Sequence, residues 1–220
     1  MVETKAAVKV YYFPVHGAMQ GIRYTLAAGG VDFEDVCAKG FPPTQEDKDL
    51  WASIGKNTTT NVPMIVAGDK VYTQSSAVIR AAARMGGLMP TGDDDLYLTD
   101  KLIADAADLA SAAMKGVKMM GATPEKEKNF IDVDLPKHVG NIERQLGDKE
   151  WFVGGKLSVA DIAVYDALTS KCRALVPNSL EAFPKLDALV KRVEALPAIA
   201  KYRSEERFTK LMQFPAIKLE

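Results

Sequence analysis

The stretch AVKVYYFPVHGAMQGIRYTLAAGGVDFEDV, residues 7–36, decides the fold of the amino-terminal part of the chain. It opens with a run rich in Val and Tyr, Ala7–Phe13, which is typical of a β-strand. Apolar residues then recur at helical spacing, at Met19, Ile22 and Leu26. The helix is expected to end at Gly29, and the alternating residues of Val31–Val36 predict a second strand.

The next residues add a hairpin and another helix. Two strand-like runs, Pro63–Val66 and Lys70–Thr73, are joined through a Gly-Asp pair that favours a tight turn. Ser75–Arg84 has a helical pattern, whereas the polar stretch that includes Gln45–Leu50 is interpreted as a loop. Because parallel strands joined by a helix need a right-handed crossover, this order predicts a sheet with helices packed on it.

The remainder of the chain contains only helix signals. A segment rich in Gly, Pro and Asp precedes it, which is a linker composition. Helix starts are indicated by Thr123-Pro124 and by Ser158, with Asp161 completing a capping motif. We therefore predict an α/β domain over residues 1–85, a linker over 86–93 and an all-α helical bundle over 94–220.

Composition excludes several classes of protein. The chain has 220 residues, 28 basic and 29 acidic side chains and a formal charge of −1, which argues against a nucleic-acid partner. It has only two Cys (Cys37 and Cys172) and two His, with no CxxC motif, so we expect no metal site and no dithiol chemistry. Reduced thiols, the lack of a signal peptide and the lack of an apolar run of about 18 residues favour a cytoplasmic protein without a membrane span.

Three places could carry chemistry. Tyr11-Tyr12-Phe13 ends the first strand, where ligands bind in α/β sheets, although such Tyr residues usually pack in a core. Val62-Pro63 can form a cis bond at the start of a strand, or an ordinary trans bond. Gln74-Ser75 precedes a helix whose N-terminus could bind a carboxylate, although Ser there is often a plain cap.

The same residues recur in one known family. The motifs are Tyr12-Phe13, Ile22-Arg23-Tyr24, Trp51, Val62-Pro63, Gln74-Ser75, Gly154–Asp161 and Phe183–Ala198. Together they make nearly the whole chain resemble a cytosolic glutathione transferase, with the sigma class as the nearest match. The resemblance implies a thioredoxin-like N-terminal domain (βαβ-ββα), an all-helical C-terminal domain, glutathione as co-substrate and a homodimer.

The resemblance also implies roles for individual residues. The catalytic residue would be Tyr12, whose hydroxyl would stabilise the glutathione thiolate, with Tyr11 as the rival because strand alternation alone does not choose between them. The glutathione site would comprise Trp51, Lys56, Val62, cis Pro63, Gln74, Ser75 and, from the neighbouring subunit, Asp108. Asp105 and Asp100 are the weaker options for that acid, and Asn61 ranks low.

The implied activity is conjugation of glutathione to small hydrophobic electrophiles. The electrophile site would be lined by Phe13, Met114, Ala163, Ala167 and Phe208. His16 lies where many sigma enzymes carry Arg, which puts thiolate activation by such cations in doubt. The alternatives are a glutathione-dependent isomerase of the prostaglandin D synthase kind and a non-catalytic ligand-binding or crystallin-like relative.

Overall fold

The computed structural model describes residues 8–57, 59 and 61–217. It divides into two compact units, one of Met1–Gly87 with Ala198–Met212 and one of Leu88–Pro197 with Gln213–Glu220. Ala7, predicted to begin the first strand, lies outside the described residues. The domain limits inferred from the sequence stay a prediction.

Strands and helices alternate in the first part of the chain and only helices follow. Up to Gly87 the elements are β1 (Val8–Tyr12), α1 (Gln20–Ala28), β2 (Phe33–Cys37), α2 (Gln45–Ser53), β3 (Met64–Ala67), β4 (Lys70–Thr73) and α3 (Ser75–Met85). The later helices are α4 (Asp93–Lys115), α5 (Pro124–Asn129), α6 (Leu135–Leu146), α7 (Val159–Asp166), α8 (Pro184–Glu194), α9 (Pro197–Ser204) and α10 (Glu206–Thr209). The predicted fold class, a thioredoxin-like α/β domain with an all-helical domain, is confirmed.

The sheet has the strand order β2-β1-β3-β4. β1 runs parallel to β2, whereas the β1–β3 and β3–β4 pairs are antiparallel. Met64 at the start of β3 pairs with Tyr11 near the end of β1 and with Thr73 at the end of β4. The residues that follow β1, precede β3 and follow β4 therefore emerge at one edge of the sheet.

The two faces of β1 have different surroundings. Tyr11 belongs to an apolar cluster with Ala38, Trp51 and Met64. Tyr12 points to the opposite face, as strand alternation requires, where the guanidinium of Arg23 from α1 lies 6.0 Å from its ring centroid. α1 and α3 pack against each other in this unit.

A helix replaces the loop that was predicted before β3. α2 begins after Thr44, whose side chain accepts a hydrogen bond from the backbone N–H of Asp47 while the Asp47 carboxylate accepts from the N–H of Thr44. The prediction of a loop was wrong because α2 is mostly polar and shows little apolar periodicity. Its capping box was the available signal.

The second unit confirms the predicted helix start at Ser158. The Asp161 carboxylate accepts hydrogen bonds from the backbone N–H groups of Ser158 and Phe152, each at 2.9 Å. The helix start predicted at Thr123-Pro124 is also present, and the short helix α5 that begins there is followed by a π-helical turn at Phe130–Asp134 and then by α6. Within the described ranges, no helix combines the length and apolar character that crossing a membrane requires.

Candidate functional site

Tyr12 lies at the edge of the sheet where β1 ends. Its side chain is 8% exposed, and its hydroxyl oxygen accepts a hydrogen bond from the backbone N–H of Ala18 at 3.0 Å. Ala18 belongs to the 3₁₀ turn Gly17–Met19 that leads into α1. The phenol oxygen is therefore held at the positive end of a helix, which favours negative charge nearby.

Tyr11, the rival residue, is packed in the apolar cluster of the other sheet face with Trp51 and Met64. Phe13 continues that face and contacts the Trp51 ring edge-on, with ring centroids 5.6 Å apart. The structure thus separates the two tyrosines. Tyr11 is a core residue, and Tyr12 is the one whose hydroxyl meets the start of a helix.

A cleft of about 450 Å³ opens at the same edge of the sheet within the first unit. It is lined by Phe13, Pro43, Gln45, Lys48, Asp49, Trp51, Ala52, Asn61 and Val62. Three residues predicted from the sequence, Phe13, Trp51 and Val62, are brought together here. Asn61, which ranked low, also lines the cleft.

One face of α2 forms much of this cleft. Gln45, Lys48, Asp49 and Ala52 follow the spacing i, i+3, i+4, i+7, which places them on one side of a helix. Trp51 is 5% exposed and its carbonyl accepts a hydrogen bond from the amide of Asn57 at 2.8 Å. No described residue accepts a hydrogen bond from the Trp51 indole N–H.

Lys48 is the functional candidate that the sequence reasoning missed. It is exposed, lines the cleft and pairs with no carboxylate of the described residues. Lys56, which was predicted instead, does not line the cleft. Its ammonium donates a hydrogen bond to the carbonyl oxygen of Asp69 at 2.6 Å and lies 3.5 Å from the carboxylate of that residue. A glutathione-binding role for Lys56 stays a prediction.

The other predicted glutathione residues lie where β3 begins and β4 ends. The Val62-Pro63 peptide bond is cis. Gln74 is exposed and has φ 71° and ψ 112°, a conformation that residues other than Gly rarely adopt. It precedes α3 without a side-chain cap, so the first N–H groups of that helix, beginning with Ser75, are not satisfied by a side chain of Gln74.

The remaining predicted residues divide between the two units. Met114, Ala163 and Ala167 lie on α4, on α7 and on the π-helical segment Ala167–Arg173, elements that pack against each other in the second unit. Asp108 is exposed on α4. Phe13 and Phe208 belong to the first unit, so the grouping of the five apolar residues into one electrophile site stays a prediction.

Phe208 and His16 contact each other within the first unit. The His16 ring is 4% exposed and meets Phe208 edge-on at 4.9 Å, and its backbone N–H donates to the carbonyl of Met212 at 3.1 Å. Phe208 also contacts Tyr202 at 5.5 Å between ring centroids. His16 is therefore a buried residue of the first unit.

The two thiols are poorly suited to chemistry of their own. Partial desolvation and the neighbouring Asp35 carboxylate raise the pKa of Cys37 to about 11, although the residue keeps an exposed surface. Burial raises the pKa of Cys172, which is fully buried, to about 12. Both remain protonated at neutral pH, as expected for a site that takes its sulfur from a ligand.

Comparison with known proteins identifies the family. A family model described as the N-terminal domain of glutathione S-transferase matches residues 6–83, and one described as its C-terminal domain matches residues 108–206. "Glutathione S-transferase B" of Cavia porcellus is 30% identical over 204 residues, which cover 90% of this chain and 91% of the relative.

Two further relatives bear on the class. "Glutathione S-transferase Mu 1" of Bos taurus is 27% identical over 204 residues, covering 90% of each chain. "Glutathione S-transferase 2" of Gallus gallus is 28% identical over 209 residues, covering 92% of each. The class named among these relatives is Mu, so the sigma-like assignment is not supported. The chain therefore belongs to the glutathione S-transferase family.

Proposed function

We propose that this enzyme conjugates the thiolate of reduced glutathione to small hydrophobic electrophiles, and that the Tyr12 hydroxyl stabilises that thiolate. The observation that carries the proposal is the hydrogen bond from the Ala18 N–H to the Tyr12 oxygen. A phenol that accepts a hydrogen bond becomes a better donor through its own O–H. Tyr12 is thereby suited to donate to a sulfur anion placed beside the start of α1.

The energetic requirement is modest. A free thiol has a pKa near 8.5, so only a few per cent is ionised at pH 7. Lowering that pKa by about two units requires roughly 2.7 kcal/mol of preferential stabilisation of the anion. One charge-assisted hydrogen bond together with the field of a helix N-terminus is of that size.

The rest of glutathione fits the edge of the sheet that carries Tyr12. We assign its γ-glutamyl carboxylate to the start of α3 at Gln74 and Ser75, where backbone N–H groups are available. The cysteinyl backbone would pair with Val62 beside cis Pro63. The glycyl carboxylate would meet the Trp51 indole and Lys48, both of which line the cleft.

The class of the enzyme, its oligomeric state, its electrophile site and its compartment belong to the same proposal. The relatives named Mu favour a Mu-like class. We propose a homodimer in which Asp108 of one copy meets the γ-glutamyl amine bound by the other, and an electrophile site formed by Phe13, Met114, Ala163, Ala167 and Phe208. The two unpaired thiols suit a reducing compartment such as the cytoplasm.

The proposal is tested by replacing each tyrosine with Phe. Tyr12→Phe is expected to lower kcat/KM for a chloronitrobenzene by about 100-fold, because it removes one donor to a developing or resident anion. Tyr11→Phe is the matched control, since Tyr11 lies in the apolar cluster and its change should cost less than about threefold. Glutathione affinity is measured by calorimetry for both variants.

Three results would count against the proposal. Unchanged turnover in a folded Tyr12→Phe variant that still binds glutathione would remove Tyr12 from the mechanism. Binding of glutathione without any conjugation by the unsubstituted protein would favour the non-catalytic alternative. A protein that isomerises a lipid endoperoxide but conjugates no electrophile would favour the isomerase.

A further inference from the structure

Arg23 is a fully buried cation beneath the proposed catalytic tyrosine. Its side chain is 0% exposed, and the carboxylate of its partner Asp35 is 4% exposed. The Arg23 Nε lies 2.7 Å from Asp35 Oδ2, and one terminal nitrogen donates a hydrogen bond to Oδ1 at 3.0 Å. A buried ion pair is seldom retained for stability alone, because desolvation offsets most of its attraction.

The Arg23 guanidinium also makes two contacts that are not part of its ion pair with Asp35. Its second terminal nitrogen donates a hydrogen bond to the backbone carbonyl of Val15 at 2.9 Å. Its carbon lies 6.0 Å from the centroid of the Tyr12 ring, at the limit of a cation–π contact. One planar side chain therefore links β2, the turn after β1 and the Tyr12 ring.

The turn that Arg23 holds is the one that positions Tyr12. It runs from Phe13 to Ala18, and Ala18 supplies the N–H that the Tyr12 oxygen accepts. Met212 fixes the same turn from its other side, because its N–H donates to the Pro14 carbonyl at 2.9 Å. The orientation of the Tyr12 hydroxyl thus depends on a loop that is anchored through Arg23.

We propose that Arg23, paired with Asp35, is a positioning residue that fixes the Tyr12 hydroxyl for thiolate stabilisation. The inference rests on the proposed function, because it assigns the role of Arg23 through Tyr12. Two other titratable groups face the pair, Cys37 on β2 and Tyr202 on α9, and Arg207 on α10 lies in turn against the Tyr202 ring. None of these connects the pair to the turn after β1 through a described hydrogen bond, whereas Arg23 does.

The experiment is a double-mutant cycle between the ion pair and Tyr12. Arg23→Met with Asp35→Leu removes both charges together and leaves no buried charge unpaired. In the protein that retains Tyr12, this double substitution is expected to lower kcat/KM about tenfold. It should also move the acidic midpoint of the kcat/KM–pH profile upward, because a misplaced Tyr12 hydroxyl stabilises the thiolate less. In the Tyr12→Phe background the same pair of changes is expected to cost less than about twofold.

A control and a second variant keep the test decisive. Lys9→Gln with Glu34→Gln removes an exposed ion pair that joins β1 to β2 and should leave the profile unchanged. If the doubly substituted variant does not fold, Arg23→Lys goes through the same cycle, since it keeps a cation but lacks the planar fork that reaches Val15. If the double substitution lowers kcat/KM equally with Tyr12 present and in the Tyr12→Phe background, the inference about Arg23 is overturned and the proposed function still stands. If Tyr12→Phe itself leaves kcat/KM unchanged, the proposed function is overturned together with the inference.

Discussion

Gly17 shows how closely the chain is fitted around Tyr12. A Cβ atom at Gly17 would lie 2.7 Å from both the hydroxyl oxygen and the nearest ring carbon of Tyr12. Gly17 also has φ +42°, a conformation that favours Gly. The residue is therefore constrained by its backbone and by the ring that it supports.

Gly17→Ala is expected to displace the Tyr12 ring and lower kcat/KM about tenfold or more, because the displaced Tyr12 hydroxyl no longer lies where it can stabilise the thiolate. Gly30→Ala is the matched control. Gly30 has a similar φ of +66°, but a Cβ there would meet nothing within 4 Å. Gly30→Ala should lose about 1 kcal/mol of unfolding free energy in urea titrations, and Gly17→Ala should lose more because it also displaces a buried ring, whereas only Gly17→Ala should lose activity. Equal activity losses would contradict this account.

Two lysines, Lys48 and Lys56, are candidates for binding the glycyl carboxylate of glutathione, and substitution of each one distinguishes between them. Lys48→Met is expected to raise the Kd for glutathione about tenfold, the effect of losing one charge-assisted hydrogen bond of roughly 1.5 kcal/mol. Lys56→Met should change the Kd less than about twofold, because Lys56 pairs with Asp69 outside the cleft.

Calorimetry with glutathione and with its glycyl ethyl ester makes this comparison specific. The ester lacks the glycyl charge, so the Lys48→Met effect should vanish for that ligand. A larger effect for Lys56→Met than for Lys48→Met would restore the assignment made from the sequence. Equal effects of Lys48→Met on both ligands would remove Lys48 from the carboxylate site.

At the scale of elements, Asp161 fixes the start of α7. It accepts hydrogen bonds from the backbone of Ser158 and Phe152 and from the Ser158 hydroxyl, at 2.8 to 2.9 Å. Asp161→Ala leaves buried N–H groups without an acceptor and is expected to cost about 3 kcal/mol in urea unfolding. Ser158→Ala keeps Asp161 as acceptor for both N–H groups and should cost about 1 kcal/mol.

The cost of Asp161→Ala should also depend on pH. Burial raises the pKa of Asp161 above its ordinary value. A carboxyl whose pKa is raised by folding stabilises the protein most below its unfolded pKa and loses that contribution as the pH rises through its folded pKa. The difference in unfolding free energy between the wild type and Asp161→Ala should therefore be larger in acid than at neutral pH. A difference that grows with pH would contradict the direction of this shift.

α2 explains why part of the site was predictable and part was not. The hairpin follows from turn residues, and strand alternation places Tyr11 and Tyr12 on opposite faces, both of which are short-range signals. The choice of Tyr12 over Tyr11, and the role of Val62, came only from the resemblance to the family. Lys48 could not be assigned while Gln45–Leu50 was interpreted as a loop, because spacing along a loop says nothing about which side chains share a face. Once that stretch is helical, Lys48 and Trp51 are three residues apart on neighbouring positions of one helix surface.

At the scale of the whole molecule, α4 exposes two large side chains that the proposed homodimer would cover. Tyr97 is 67% exposed and Leu98 is 37% exposed, although both are large apolar residues. Asp108 follows Tyr97 by eleven residues, about three helical turns, so the two lie on the same face. The proposed homodimer would bury Tyr97 and bring Asp108 to the glutathione of the other copy.

Mixing two weakened variants tests that arrangement. In a heterodimer of a Tyr12→Phe chain and an Asp108→Asn chain, one site retains both native residues if Asp108 acts across the interface, and no site does if it acts within its own chain. We therefore expect the mixed sample, after exchange of subunits, to exceed the mean kcat/KM of its parents. Tyr97→Glu should block the rescue and shift the protein toward the mass of one chain in sedimentation. Heterodimers that form without rescue would place Asp108 outside the partner's site.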